Sequence, residues 1–250
     1  MYVGLLLLLN IIMKKENTCK DLLGSIHILY YKSKIALAEA HLLQDPENYI
    51  KRFSFELDYN YDLKILSSLI RKCSPTFNEL SRKSWVLFVL EINKVLSQSK
   101  KNDKFSILKF YNKLKNKEFK DNIPLSNFEE IIRIIKTPED NSVLCKLRVL
   151  RDKFYAHSDK DFNKITESLF PTYEEVWILM SNIEEFLKSM FHYYDSDILL
   201  SVEPHINKYF IDFERIYRYF QQTEEIKDIY LLKRNFELVQ LQHFRNSPLL

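Results

Sequence analysis

Apolar positions recur at helical spacing along most of the chain. Between about Asn17 and Leu43, Cys19, Leu22, Leu23, Ile26, Tyr30, Leu37 and Ala40 trace one stripe, and Asp45-Pro46 closes the segment. Ser74-Pro75 opens a second long helix, with an N-cap residue followed by proline in the first turn, and the pattern runs to near Ser99. From Trp85 to Leu90 every position is apolar, which predicts a central helix covered on most sides. Phe105, Leu108, Tyr111 and Leu114 predict a basic amphipathic helix. Phe128, Ile131, Ile132 and Ile135 predict a short one, stopped by Thr137-Pro138. Val143, Leu147, Leu150 and Phe154 mark a helix from about Asn141 to Ser158. Thr172, with Glu175 three residues on, forms a capping box, and Val176, Leu179, Met180, Ile183, Leu187 and Met190 line the helix it starts.

The long apolar faces need one another, because short helices alone are marginal in water. The expected fold is therefore all-α. Helices near 17–43, 75–98, 141–158 and 172–194 would form a four-helix bundle, followed by C-terminal helices at about His205–Gln221 and Glu224–Arg245. One segment departs from this period. Phe53, Phe55, Leu57, Tyr59 and Tyr61 alternate with Arg52, Ser54, Glu56, Asp58 and Asn60, which is strand spacing. A short extended or strand segment is expected near 52–61, and it would need a partner because a lone strand is unstable.

The chain thus reads as three stretches: an apolar tail at 1–12, a helical domain at 13–195 and a C-terminal extension at 196–250. The apolar run Leu5–Leu9 is too short to span a bilayer, and no basic n-region precedes it. Met13-Lys14-Lys15-Glu16 reads as a natural start, so residues 1–12 are expected to reflect an upstream start codon; a short membrane-associating tail is the alternative. No membrane partner is expected.

Composition narrows the chemistry. Only Gly4 and Gly24 are present, so neither a dinucleotide fingerprint nor a P-loop can be built. Cys19, Cys73 and Cys145 are widely spaced and form no metal or disulfide pattern; Cys19 and Cys145 sit at apolar helical positions, expected as buried thiols in a reducing cytoplasm. His27 and His41 stand fourteen residues apart without carboxylate or thiol companions, so neither a metal nor another cofactor is expected.

The net charge is only +3, yet from Lys94 to Lys120 nine lysines face Asp103 and Glu118 alone. Lys109, Lys113, Lys115 and Lys117 within it are candidate RNA-phosphate contacts, whose binding would release counterions. A solvated helix face accounts for the same pattern.

The helix at 141–158 carries the candidate chemistry. Arg151 and His157 lie six residues apart, which on an α-helix is about 9 Å along the axis, with each residue roughly 60° to one side of the apolar stripe. They share a neighbourhood without touching. A helix-end histidine favoured by the dipole, and an arginine snorkelling beside the stripe to pair with an acid, explain the same residues. Asp152 could orient either motif residue, or be claimed by Arg148 four residues earlier.

Arg151-Asp152-x-x-x-Ala156-His157 resembles the R-(polar)-x(4–6)-H motif of the HEPN superfamily. The longer run Arg151-Asp-Lys-Phe-Tyr-Ala-His-Ser-Asp159 is similar to its abortive-infection U branch, with the likeness extending from near Ser74 to near Tyr194. The resemblance implies metal-independent RNA cleavage in phage defence by a homodimer with a composite site. In that reading His157 is the acid–base, Arg151 the phosphate ligand and Asp152 the polar companion. A non-catalytic module binding RNA, a nucleotide or a protein in a defence or toxin–antitoxin system is the alternative reading. Members restrained by a nucleotidyltransferase antitoxin carry a tyrosine two positions after the histidine. Here Asp159 stands there, so that modification is not expected, while an antitoxin or other regulatory partner stays open.

Overall fold

In the computed structural model, the described residues are 18–53, 74–98, 104–119, 123–138, 142–155 and 170–194, with isolated positions (70, 121, 196 and 198) and short stretches as far as 215. They are all-α, and no strand occurs among them. The helices are α1 (Cys19–Gln44), α2 (Pro46–Phe53), α3 (Ser74–Val95), α4 (Ile107–Lys115), α5 (Glu129–Lys136), α6 (Val143–Val149) and α7 (Tyr173–His192). A 3-10 turn, Leu125–Phe128, leads into α5, and a π-helical turn, Leu150–Tyr155, continues α6. None of the described helices is long and apolar enough to cross a membrane.

The chain divides into two compact units, one of residues 12–37 and 84–202, the other of 1–11, 38–83 and 203–250. In the first, the expected stripes are the buried ones. Cys19, Leu22, Leu23, Ile26, Tyr30 and Leu37 of α1 are inside, as are Val176, Leu179, Met180, Ile183, Leu187 and Met190 of α7. The two helices are joined by a half-buried polar knot: the Tyr30 hydroxyl donates to the Met180 carbonyl (3.2 Å) and to Glu184 Oε2 (3.0 Å), and Lys34 Nζ lies 2.6 Å from the same oxygen. Lys34 also reaches the Leu200 carbonyl (2.7 Å), and Tyr31 that of Ser201 (3.2 Å).

Phe128 is the hub of the smaller helices. It is fully buried, with the rings of Phe110, Tyr111 and Phe186 at 5.4, 5.7 and 5.1 Å. The buried face of α4 is Ile107, Leu108, Phe110 and Leu114, rotated from the expected one: Phe105 and Tyr111 are only half-buried. The cover expected around 85–90 is also incomplete, since Phe88 and Val89 are inside while Leu87 is 48% exposed.

In the second unit the end of α1 packs on α2 and the start of α3. Ser81 Oγ donates to the Ala40 carbonyl (2.9 Å), and Tyr49 stands edge-on to His41. Residues 204–208 and 211–213 are helical, within the expected C-terminal helix. His205 bonds Glu39 at 2.7 Å and Phe213 meets Phe77 edge-on. The expected strand is not formed where it is described. Residues 50–53 are the end of α2, because Asp45 caps that helix through the Asn48 N–H (3.3 Å) and Tyr49 packs on Phe53 one turn later at 4.8 Å. Residues 54–61 and the helix expected at 224–245 lie outside the described residues.

Candidate active site

The helix that carries the motif starts cleanly. Ser142 caps α6, its hydroxyl accepting the Cys145 N–H at 3.4 Å. Leu144, Leu147 and Leu150 are buried at three-residue intervals and anchor it to the core. Each such side chain contributes about 1.5–3 kcal/mol through removal from water. Cys145, expected inside, is half-buried because it lies off this line; Cys19 is fully buried, and burial pushes its thiol up to about 11.

At Leu150 the bonding changes. Its N–H reaches both the Lys146 and Leu147 carbonyls, and from here to Tyr155 the turn is π-helical. Such wide turns are rare and favour functional sites. Arg151 and Asp152 sit on it. Arg151 Nε donates to Asp152 Oδ1 at 2.6 Å, with the two side chains 30% and 58% exposed. An ion pair this open is worth about 0–1 kcal/mol, so it orients the guanidinium more than it stabilises the fold. Because the bond uses Nε, the edge formed by the two η nitrogens is not spent on Asp152.

Arg148 spends its hydrogen bonds on backbone carbonyls and not on Asp152. Its guanidinium is half-buried and donates to the Ile135 carbonyl (2.9 Å) and the Leu96 carbonyl (3.4 Å), closing the C-terminal ends of α5 and α3. Gln98 Nε2 joins it on the Ile135 carbonyl. Burial, with Arg151 adding repulsion, lowers the Arg148 pKa, although Cys145 and Asp152 oppose the shift. Asn93 of α3, which the hydrophobic pattern does not single out, is buried and donates Nδ2 to the Leu147 carbonyl at 3.1 Å. A polar residue inside an apolar helix face was its only signal. On the far side, Lys146 Nζ meets Glu175 Oε1 at 3.2 Å, tying α6 to the start of α7. His157 lies outside the described residues.

The four lysines do not form one face. Lys109 and Lys113 are half-buried, one turn apart on α4. Lys113 faces Glu118 at 3.8 Å and lies over the Phe119 ring at 5.4 Å. Lys115 and Lys117 are exposed, and Lys117 stands past the helix end at a φ of 56°. Among the described residues, no hydrogen bond or ion pair joins these lysines to Arg151 or Asp152.

An all-α domain with an arginine–aspartate pair and a histidine six positions after the arginine has the form of a HEPN domain. The family model HEPN_AbiU2, described as AbiU2, matches residues 67–220, more than half of the chain. The chain belongs to the AbiU2 family of HEPN domains. No curated protein and no solved structure matches it.

Proposed function

We propose that this protein is a metal-independent endoribonuclease of abortive infection, acting on RNA as a homodimer with a composite site. The observation that carries the reading is the Arg151–Asp152 pair on a π turn within the span of the family match, with the guanidinium bonded to Asp152 through Nε. A planar cation of this kind matches the two free oxygens of a phosphodiester and the charge that builds on them. His157 supplies the proton transfer, since its unperturbed pKa of about 6.5 lets it take and return a proton near neutrality. The 2′-oxygen attacks phosphorus as its proton passes to a histidine, and the P–O5′ bond breaks. The departing 5′-oxygen is protonated, leaving a 2′,3′-cyclic phosphate. Acid–base help of this sort is worth about 10²–10⁴-fold. Lys115 and Lys117, with Lys109 and Lys113 beside them, supply longer-range attraction to RNA.

The test is cleavage of total cellular RNA by the purified protein in EDTA, wild type beside His157→Ala and Arg151→Ala. Wild type alone should cut, leave cyclic-phosphate ends and spare DNA. Equal molar mixing of the two inactive variants should restore part of the activity if one site draws on two subunits. A folded wild type that binds RNA without cutting it would replace the nuclease reading with that of a binding module.

A further inference from the structure

Asn93 is a polar residue on an otherwise apolar buried stretch of α3. It is 2% exposed and its neighbours Val89, Ile92, Val95 and Leu96 are buried, so a leucine would fit the pattern. Burying an amide without partners costs about 1–3 kcal/mol, and asparagine is also a poor helix former. Its Nδ2 resolves the first cost by donating twice, to the Val89 carbonyl of its own helix (2.7 Å) and to the Leu147 carbonyl of α6 (3.1 Å).

The second acceptor stands at a particular place. In an uninterrupted α-helix the Leu147 carbonyl is the partner of the Arg151 N–H. Here it also receives the Leu150 N–H, shared with the Lys146 carbonyl, in the last turn of α6 before the π turn begins at Leu150. A chain leaving an α-helix through such a turn has an alternative, which is to re-close as α. The extra residue accommodated by a π turn rotates the downstream residues by about 100° around the axis. A donor fixed in the core and aimed at the Leu147 carbonyl competes with the Arg151 N–H for it and so biases the choice toward the wide turn. Arg151 is the second residue of that turn, and its guanidinium direction depends on the backbone beneath it.

We infer that Asn93 is a positioning residue for Arg151, acting through the Leu147 carbonyl to hold the π turn that presents the guanidinium. Its kinetic consequence rests on the ribonuclease reading; its structural consequence does not. The experiment is therefore read twice on the full-length protein carrying Asn93→Leu, which keeps the volume and removes the donor. The first reading is NMR of arginine side chains labelled with nitrogen-15, with the Arg151 Nε–H assigned by its loss in Arg151→Lys. In wild type the bond to Asp152 should slow exchange of this proton with water. In Asn93→Leu it should exchange fast enough to be lost, while the Arg148 signal stays in place. The second reading is RNA cleavage, where kcat should fall roughly 10- to 100-fold, the scale expected for slight misplacement of a reacting group, with KM little changed. An unaltered Arg151 signal in the folded variant would overturn the inference, as would an equal change at Arg148, which marks general loosening. If Asn93→Leu does not fold, Asn93→Ala, which cannot clash, takes its place; failure of both to fold would make Asn93 a folding residue and also overturn it. A wild type that cuts no RNA would remove the ribonuclease reading and leave the NMR result standing.

Discussion

Lys117 shows what single residues bear in a chain with two glycines. Asn116 ends α4, and the next two N–H groups turn back onto it, Lys117 to Leu114 (3.0 Å) and Glu118 to Lys113 (2.9 Å). This is the Schellman arrangement, whose left-handed position normally belongs to glycine. A lysine at a φ of 56° holds it at a cost of about 1 kcal/mol, because its Cβ crowds the following carbonyl. The Lys113–Glu118 ion pair spans the positions where this cap usually places a hydrophobic contact. Lys117→Gly should therefore raise stability by about 1 kcal/mol in a denaturant titration, while weakening RNA binding if the basic segment meets phosphates. The turn was not legible in advance. Asn116 would have been the natural left-handed residue, and only the closing hydrogen bonds decide between it and its neighbour.

Elements were legible where periodicity and chemistry agreed. The capping box of α7 is present as read: Thr172 Oγ1 accepts the Glu175 N–H (3.2 Å), and Glu175 Oε2 accepts the Thr172 N–H (2.7 Å). Glu175 does more than the motif implies, since its other oxygen holds Lys146. The backbone bond from Thr172, outweighing slight desolvation and aided by Lys146, keeps its carboxyl below the usual range. Thr172→Ala should cost about 1 kcal/mol, read as a fall in the urea midpoint with an unchanged slope. The end of α2 misled because alternation contains i, i+4 pairs: Tyr49 and Phe53 satisfy a strand period and a helix turn equally, and the Asp45 cap decided. The π turn left no trace in the sequence. Leu144, Leu147 and Leu150 keep their interval up to it, and the Asn93 amide that bonds the Leu147 carbonyl just before it lies more than fifty residues away on α3. The motif arginine was thus identifiable from sequence, but the turn that presents it was not.

At the scale of the larger unit, the Tyr30–Lys34–Glu184 knot decides the response to acid. Burial pushes the Glu184 carboxyl up, but the bonds from Lys34, Lys188 and Tyr30 prevail and leave it below the ordinary value of 4.5. A carboxyl held low in the folded state adds stability at pH values above its unfolded pKa. That contribution is lost as the pH falls through the folded one. Glu184→Gln should therefore cost about 2 kcal/mol at pH 7 and progressively less below pH 4.5, measured by thermal unfolding across the range.

The same knot sets an order of events during synthesis. Tyr30 and Lys34 meet partners 150 residues later in the chain, and Lys34 also waits for the carbonyl of Leu200. Contacts so distant in sequence form late, and domains fold as their last partners leave the ribosome. α1 emerges first and stays undocked until α7 and the residues beyond it are free. A nascent chain can thus carry Arg151 and Asp152 past the exit tunnel well before the unit that supports them has closed, so the geometry of that pair is set only after the segment through Leu200 has been made.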